Sequence, residues 1–118
     1  MNAQDPENKS APLQRTRVRV PLEDRSYDIK ISSGEMDQFA AGVLEAIPDL
    51  SHALVIFDQA VDKPWAEHFT SVLHSHSDSI RVSQVSVPSG EVSKSIHEYD
   101  RLLNWTLSQG GDRKSVMI

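Results

Sequence analysis

The stretch ALVIFD, residues 53–58, decides the fold. Five apolar side chains stand in a row, and nothing polar turns toward water until Asp58. A run of that length fits a parallel strand covered on both faces better than a half-exposed one. Parallel neighbours need crossover connections, so helical patterns are expected on either side.

Upstream, Met36, Phe39, Ala40, Val43, Leu44 and Ile47 recur at helical spacing. Ser32 and Glu35 have the spacing of a capping box, Gly34 lies between them, and Pro48 stops the helix. Earlier still, RTRVRVPL (residues 15–22) and SYDIKIS (26–32) alternate with period two. Val18 and Val20 share one face, as do Tyr27, Ile29 and Ile31. Pro21 and the polar Glu23-Asp24-Arg25 turn separate the two strands, which predicts an antiparallel hairpin. Residues 1–14 carry two prolines and few apolar groups, and are expected to form a disordered tail.

Downstream, a loop over residues 59–61 precedes Asp62, a candidate helix cap, and Pro64 in the first turn. Trp65, Phe69, Val72 and Leu73 are expected to be the buried stripe of that helix, which SHSDS (75–79) interrupts. IRVSQVSV (80–87) predicts a second buried strand, closed by Pro88. A helix is expected from about Ser93 to Ser108, with Ile96, Tyr99, Leu103 and Leu107 turned inward. Ser95 and Glu98 have capping-box spacing, and Gly110-Gly111 end the helix. SVMI (115–118) starts another strand. The expected fold is α/β: a β-hairpin, then Rossmann-like alternating strands and helices on a mainly parallel sheet.

Composition narrows the functions. The chain has 118 residues, 12 Lys and Arg against 17 Asp and Glu, and no cysteine. Disulfides, thiolate metal sites and cysteine nucleophiles are excluded. The net charge of −5 opposes a general nucleic-acid binder. No apolar run approaches the roughly 20 residues of a membrane span, so neither nucleic acid nor membrane is an expected partner, and a cytoplasmic location is expected.

Ligands of open α/β sheets sit beyond the carboxyl ends of the strands. Asp58 stands at one such end, where a carboxylate can accept bonds from a ribose diol; a helix cap or a solvated loop acid is the plainer reading of its position alone. The other end leads into Pro88-Ser89-Gly90-Glu91-Val92-Ser93-Lys94. There Gly90 permits close backbone approach, Glu91 accepts from hydroxyls, and Lys94 suits a phosphate or a pair with Glu91. An exposed strand-to-helix turn with one ion pair is the plainer alternative. His74 and His76 could present two imidazoles from an extended segment, but lack the further ligands a zinc site needs. His52, His68 and His97 have no evident partners in sequence.

DRSYDIKISSG (24–34), LVIFDQAV (54–61), VPSGEVSKS (87–95) and GGDRKSVMI (110–118) together resemble the N-terminal part of the 3-dehydroquinate synthase family. The resemblance runs from about Val18 to Ile118. It implies an incomplete nucleotide-binding domain over residues 15–118. It also implies an enzyme that converts 3-deoxy-D-arabino-heptulosonate 7-phosphate to 3-dehydroquinate and phosphate, with NAD oxidising a ring carbon and returning the hydride. By position, Asp58 matches the acid at the adenosine ribose. Ser89, Gly90, Glu91, Val92, Ser93 and Lys94 match the segment lining NAD. The family usually has Asn where this chain has Ala60. Its Gly-rich pyrophosphate turn, its zinc- or cobalt-binding Glu and two His, and its basic sugar-phosphate site lie beyond the matched residues. The resemblance therefore implies no turnover and weak NAD binding by these 118 residues alone, and a homodimeric full enzyme. A non-catalytic binding module on this fold and a part of another sugar-phosphate cyclase remain the alternatives.

Overall fold

The structure is a computed structural model that describes residues 14–61 and 63–118. The described chain divides into two compact units, one ending at Met36 and one running from Asp37 to Ile118.

The first unit is the expected hairpin. Strands β1 (Arg15–Val20) and β2 (Tyr27–Ser32) pair antiparallel, with Val18 opposite Ile29 and Val20 opposite Tyr27. Period two therefore gathers the apolar side chains on one face. On the other, Asp28 bonds both Arg17 and Arg19. The connection is a single 3-10 turn, Glu23–Arg25, tied by Leu22 N to Ser26 Oγ (2.9 Å) and Ser26 Oγ to the Glu23 carbonyl (2.7 Å). Gln14 is paired to Ser33, and the rest of the expected tail lies outside the described residues.

The second unit alternates helix and strand: α1 (Met36–Ala46), β3 (His52–Asp58), α2 (Lys63–His76), β4 (Arg81–Val87), α3 (Ile96–Ser108) and β5 (Ser115–Met117). The strands form one parallel sheet in the order β4-β3-β5. ALVIF is thus its central strand, and Ala53, Leu54 and Val55 are buried. Around them are buried Ala40, Leu50, Ala66, Phe69, Val72, Leu73 and Ile80. The rings of Phe39 and Phe69 approach to 5.6 Å between α1 and α2. Gln84 of β4 donates to the Ala66 carbonyl of α2 (3.0 Å), and Arg101 of α3 donates to the Ser86 carbonyl of β4 (2.9 Å). No helix among the described residues is long and apolar enough to cross a membrane.

Four local expectations are corrected. Ser32 belongs to β2 and Glu35 bonds Arg15, so the capping box before α1 does not form: the strand pairing claims its first residue and an arginine its last. Phe69, Val72 and Leu73 of α2 are buried as expected, but Trp65 is exposed and Ala66 stands in the buried stripe instead. His74 and His76 lie in the last turn of α2 rather than on an extended segment, and His74 bonds the Ile80 carbonyl (3.1 Å). Most markedly, Ile96, Tyr99, Leu103 and Leu107 face outward, with Ile96 87% exposed. The covered side of α3 instead carries Glu98, which is buried and paired with Arg101. Arg101, Leu102, Trp105 and Thr106 are half-buried beside it. The Asp62 cap lies outside the described residues.

Candidate functional site

Parallel pairing places the last residue of β3, Asp58, directly beside the last residue of β4, Val87. The ladder runs one bond further, from Gln59 N to the Val87 carbonyl (2.9 Å). The two chain segments singled out in the sequence therefore leave the sheet side by side, at its carboxyl end.

Asp58 is half-buried and preorganised. Its Oδ1 accepts the Ala60 amide at 2.7 Å and the hydroxyl of Ser89. These two donors, Ser89 foremost, hold its carboxyl below the usual range, so it is an anion at neutral pH. With Oδ1 engaged, Oδ2 is the oxygen with acceptor capacity left over. The Ser89 contact joins β3 to the loop after β4, which the sequence did not foretell because 31 positions separate the partners.

That loop turns at Gly90, whose φ of 81° and ψ of −161° lie in a region essentially reserved for glycine. Glu91, Val92 and Ser93 then form a 3-10 turn, closed by Ser93 Oγ to the Gly90 carbonyl (2.8 Å) and Lys94 N to the Glu91 carbonyl (3.0 Å). Glu91 and Lys94 bond each other at 2.9 Å, with both side chains largely in water. Such a pair stabilises little, and both groups can turn to a ligand at small cost. Val92 is exposed. The structure thus ties the loop to β3 through Ser89 and Asp58, and pairs Glu91 with Lys94 separately within the loop. An open groove lined by Ser93, Lys94, Ser95, Ile96, Tyr99 and Leu102 continues from it onto α3.

The base of the loop is fastened by residues with little signal in the sequence. Ser95 caps α3 by accepting the Glu98 amide (3.1 Å), as its spacing predicted. The Glu98 side chain does not complete the box. It accepts three bonds from Arg101, at 2.8, 3.0 and 3.1 Å. The only sequence signal for this was the three-residue Glu-to-Arg spacing on a helix.

His52 starts β3, at the other end of the strand from Asp58. Its Nε2 meets Ser83 Oγ and its Nδ1 accepts from Arg81, both at 2.9 Å. Burial first, and the Arg81 charge second, push its pKa down, so it is neutral. Among the described residues no three His, Asp or Glu side chains gather where they could hold a metal ion.

No protein-family profile matches the chain. Curated relatives do. The chain is 37% identical to 3-dehydroquinate synthase of Rhodopirellula baltica, over 86% of this chain and 28% of that protein. It is 32% identical to the same enzyme of Endomicrobium trichonymphae (86% and 27%) and 31% identical to that of Roseobacter denitrificans (86% and 26%). The chain thus spans about a quarter of the length of the curated relatives it matches. Among solved structures it is similar to 2-deoxy-scyllo-inosose synthase, with a TM-score of 0.63 over 86% of this chain and 28% of that one. The likeness, at 15% identity, is one of fold. A second structure of that enzyme, complexed with carbaglucose-6-phosphate, NAD+ and Co2+, matches equally, at 0.63. Over 86% of its own length, this chain is similar in sequence to the first quarter or so of 3-dehydroquinate synthases, and it shares the fold of the matching part of 2-deoxy-scyllo-inosose synthase.

Proposed function

We propose that this chain is the NAD-binding part of a 3-dehydroquinate synthase, with Asp58 and residues 89–94 as its nucleotide contacts. The observation that carries this is the Asp58 carboxylate, anchored through Oδ1 at the carboxyl end of two parallel strands beside a glycine-turned loop. Strand ends of this kind are where open α/β sheets bind nucleotides.

NAD fits these residues. Asp58 Oδ2 offers an acceptor to a ribose hydroxyl. Glu91 offers a second, once its exposed pair with Lys94 opens, and Lys94 then carries an unpaired positive charge toward a phosphate. Gly90 lets the backbone approach closely, since there is open space where its Cβ would stand. Bound NAD would supply reversible hydride transfer. The role of these residues is to hold and orient it. Among the described residues, Glu, Asp and His side chains do not gather into a metal group, so no step through a metal is assigned to them.

In the full-length enzyme the reading extends to the conversion of 3-deoxy-D-arabino-heptulosonate 7-phosphate to 3-dehydroquinate and phosphate. That is a carbon–oxygen lyase reaction of the cytoplasmic shikimate route to aromatic amino acids, run by a homodimer with a divalent metal. These 118 residues alone are expected to bind NAD weakly and to turn nothing over.

The test is a titration of the 118-residue chain with NAD, followed by amide NMR shifts. Shifts that saturate and centre on residues 58–61 and 89–94 are expected. An absence of saturable shifts at millimolar NAD, or shifts centred on the His52 end of the sheet, would overturn the assignment.

A further inference from the structure

We propose that Arg101 is a positioning residue for the loop over residues 88–94. Its role as a ligand-affinity determinant rests on the NAD reading above. Ser86 lies before the loop, in β4, and Glu98 lies after it, in the first turn of α3. The Arg101 guanidinium reaches both. One nitrogen, Nη2, donates to the Ser86 carbonyl at 2.9 Å and to Glu98 Oε2 at 2.8 Å, and Nε adds two more bonds to the same carboxylate. The two feet of the loop are thus held by one rigid, planar group.

The chemistry of the fork matters. An arginine presents five donors in fixed directions, and so can bind a carboxylate side-on while still serving a carbonyl. A lysine at this position could pair with Glu98 but has no planar fork to span both partners. Glu98 is one of only two buried polar or charged residues among those described, and its side chain is 11% exposed. A carboxylate taken out of water on the sheet-facing side of α3, in place of an apolar residue, is costly unless it is fully paired. Arginine pairing holds its carboxyl below the usual range, so the anion persists. The same Glu98 contributes its amide to the Ser95 hydroxyl, which fixes the last residue before the helix. The neighbouring His97, with Nδ1 3.8 Å from Glu98 Oε1, is exposed. Arg101 therefore sets the distance between the end of β4 and the start of α3. The placement of Glu91 and Lys94 follows from that distance.

The experiment uses the 118-residue chain with two variants. Arg101→Lys keeps the charge and loses the fork. The double variant Arg101→Met with Glu98→Met removes the pair without leaving a buried charge behind, which guards against simple misfolding. Backbone 15N relaxation of residues 89–94 is measured in the free protein, and NAD affinity by amide shifts. Both variants are expected to melt near the parent temperature, to show raised mobility confined to the loop, and to bind NAD about three- to tenfold more weakly, the scale of ordering one or two more side chains on binding. Parent-like loop relaxation and parent-like affinity in Arg101→Lys would overturn the proposal and leave the NAD reading standing. Failure of the parent chain to bind NAD would overturn the NAD reading. Loop relaxation would then decide the positioning role alone: a loosened loop supports it and an unchanged loop overturns it. Should the double variant not fold, loop relaxation and affinity in Arg101→Lys decide the matter by the same criteria.

Discussion

Leucine-to-alanine changes at two helical positions separate the core from the surface stripe. Leu73 of α2 is fully buried, whereas Leu107 of α3 is 64% exposed. Both are in helices, so the propensity difference between leucine and alanine cancels in the comparison. Removing a fully buried leucine side chain loses its transfer free energy and leaves a cavity, at a cost of about 2–5 kcal/mol. Full burial of a leucine is worth about 1.5–3 kcal/mol, so the third of Leu107 that is covered contributes roughly 0.5–1 kcal/mol, and no closed cavity follows its removal. Urea unfolding reads the difference. With a slope of about 1.5 kcal/mol per molar for a chain of this size, a loss of 3 kcal/mol in Leu73→Ala moves the midpoint down by about 2 M. Leu107→Ala should move it by about 0.3–0.7 M on the same slope. Equal midpoint shifts for the two variants would refute the assignment of α3's apolar stripe to the surface and of Leu73 to the core.

Three further outcomes are expected. Ser95→Ala removes the cap on α3 and should lower stability by about 1 kcal/mol in the same assay, whereas Ser95→Thr should retain most of it. Gly111→Ala would put a Cβ 3.0 Å from the Thr106 carbonyl oxygen and 2.9 Å from its methyl; the crowding should cost about 1–3 kcal/mol, and an unchanged melting temperature would contradict the close approach. For pH, the folded state keeps His52 neutral below the pH at which the unfolded chain protonates it. The contribution of His52 is therefore complete above about pH 6.5 and is lost as pH falls from there through its lowered folded pKa. Thermal midpoints from pH 8 to 5 should fall in the parent, and His52→Gln should flatten that part of the profile. The carboxylates held low by arginine or serine, such as Glu98 and Asp58, act in a separate window, with their stabilisation lost only below about pH 4.5.

Elements whose signal is local were legible in the sequence. The central strand from ALVIF, the antiparallel hairpin from alternating Val18, Val20, Tyr27, Ile29 and Ile31, the Ser95 cap and the glycine-ended α3 each follow from a few neighbouring side chains. So did the final strand, which adds to β3 with Val116 beside Ala53. Where local expectation failed, a partner outside the local pattern had overridden it. Arg15 took Glu35 from its helix cap, and the side of α3 that carries Glu98, Leu102 and Trp105 is covered while Ile96, Tyr99, Leu103 and Leu107 are exposed.

The candidate site divides in the same way. Its residue types, and their place at the carboxyl ends of strands, follow from sequence, because strand ends and glycine turns are encoded within a few positions. That Asp58 is anchored by Ser89, that Glu91 and Lys94 form a separate exposed pair, and that Arg101 fastens the base of their loop were decided by tertiary structure alone. A periodic pattern states which side of a strand or helix is apolar. Only the packing of one strand beside another brings a hydroxyl to a carboxylate 31 residues away, and only then does a strand-end acid become a held and directed acceptor.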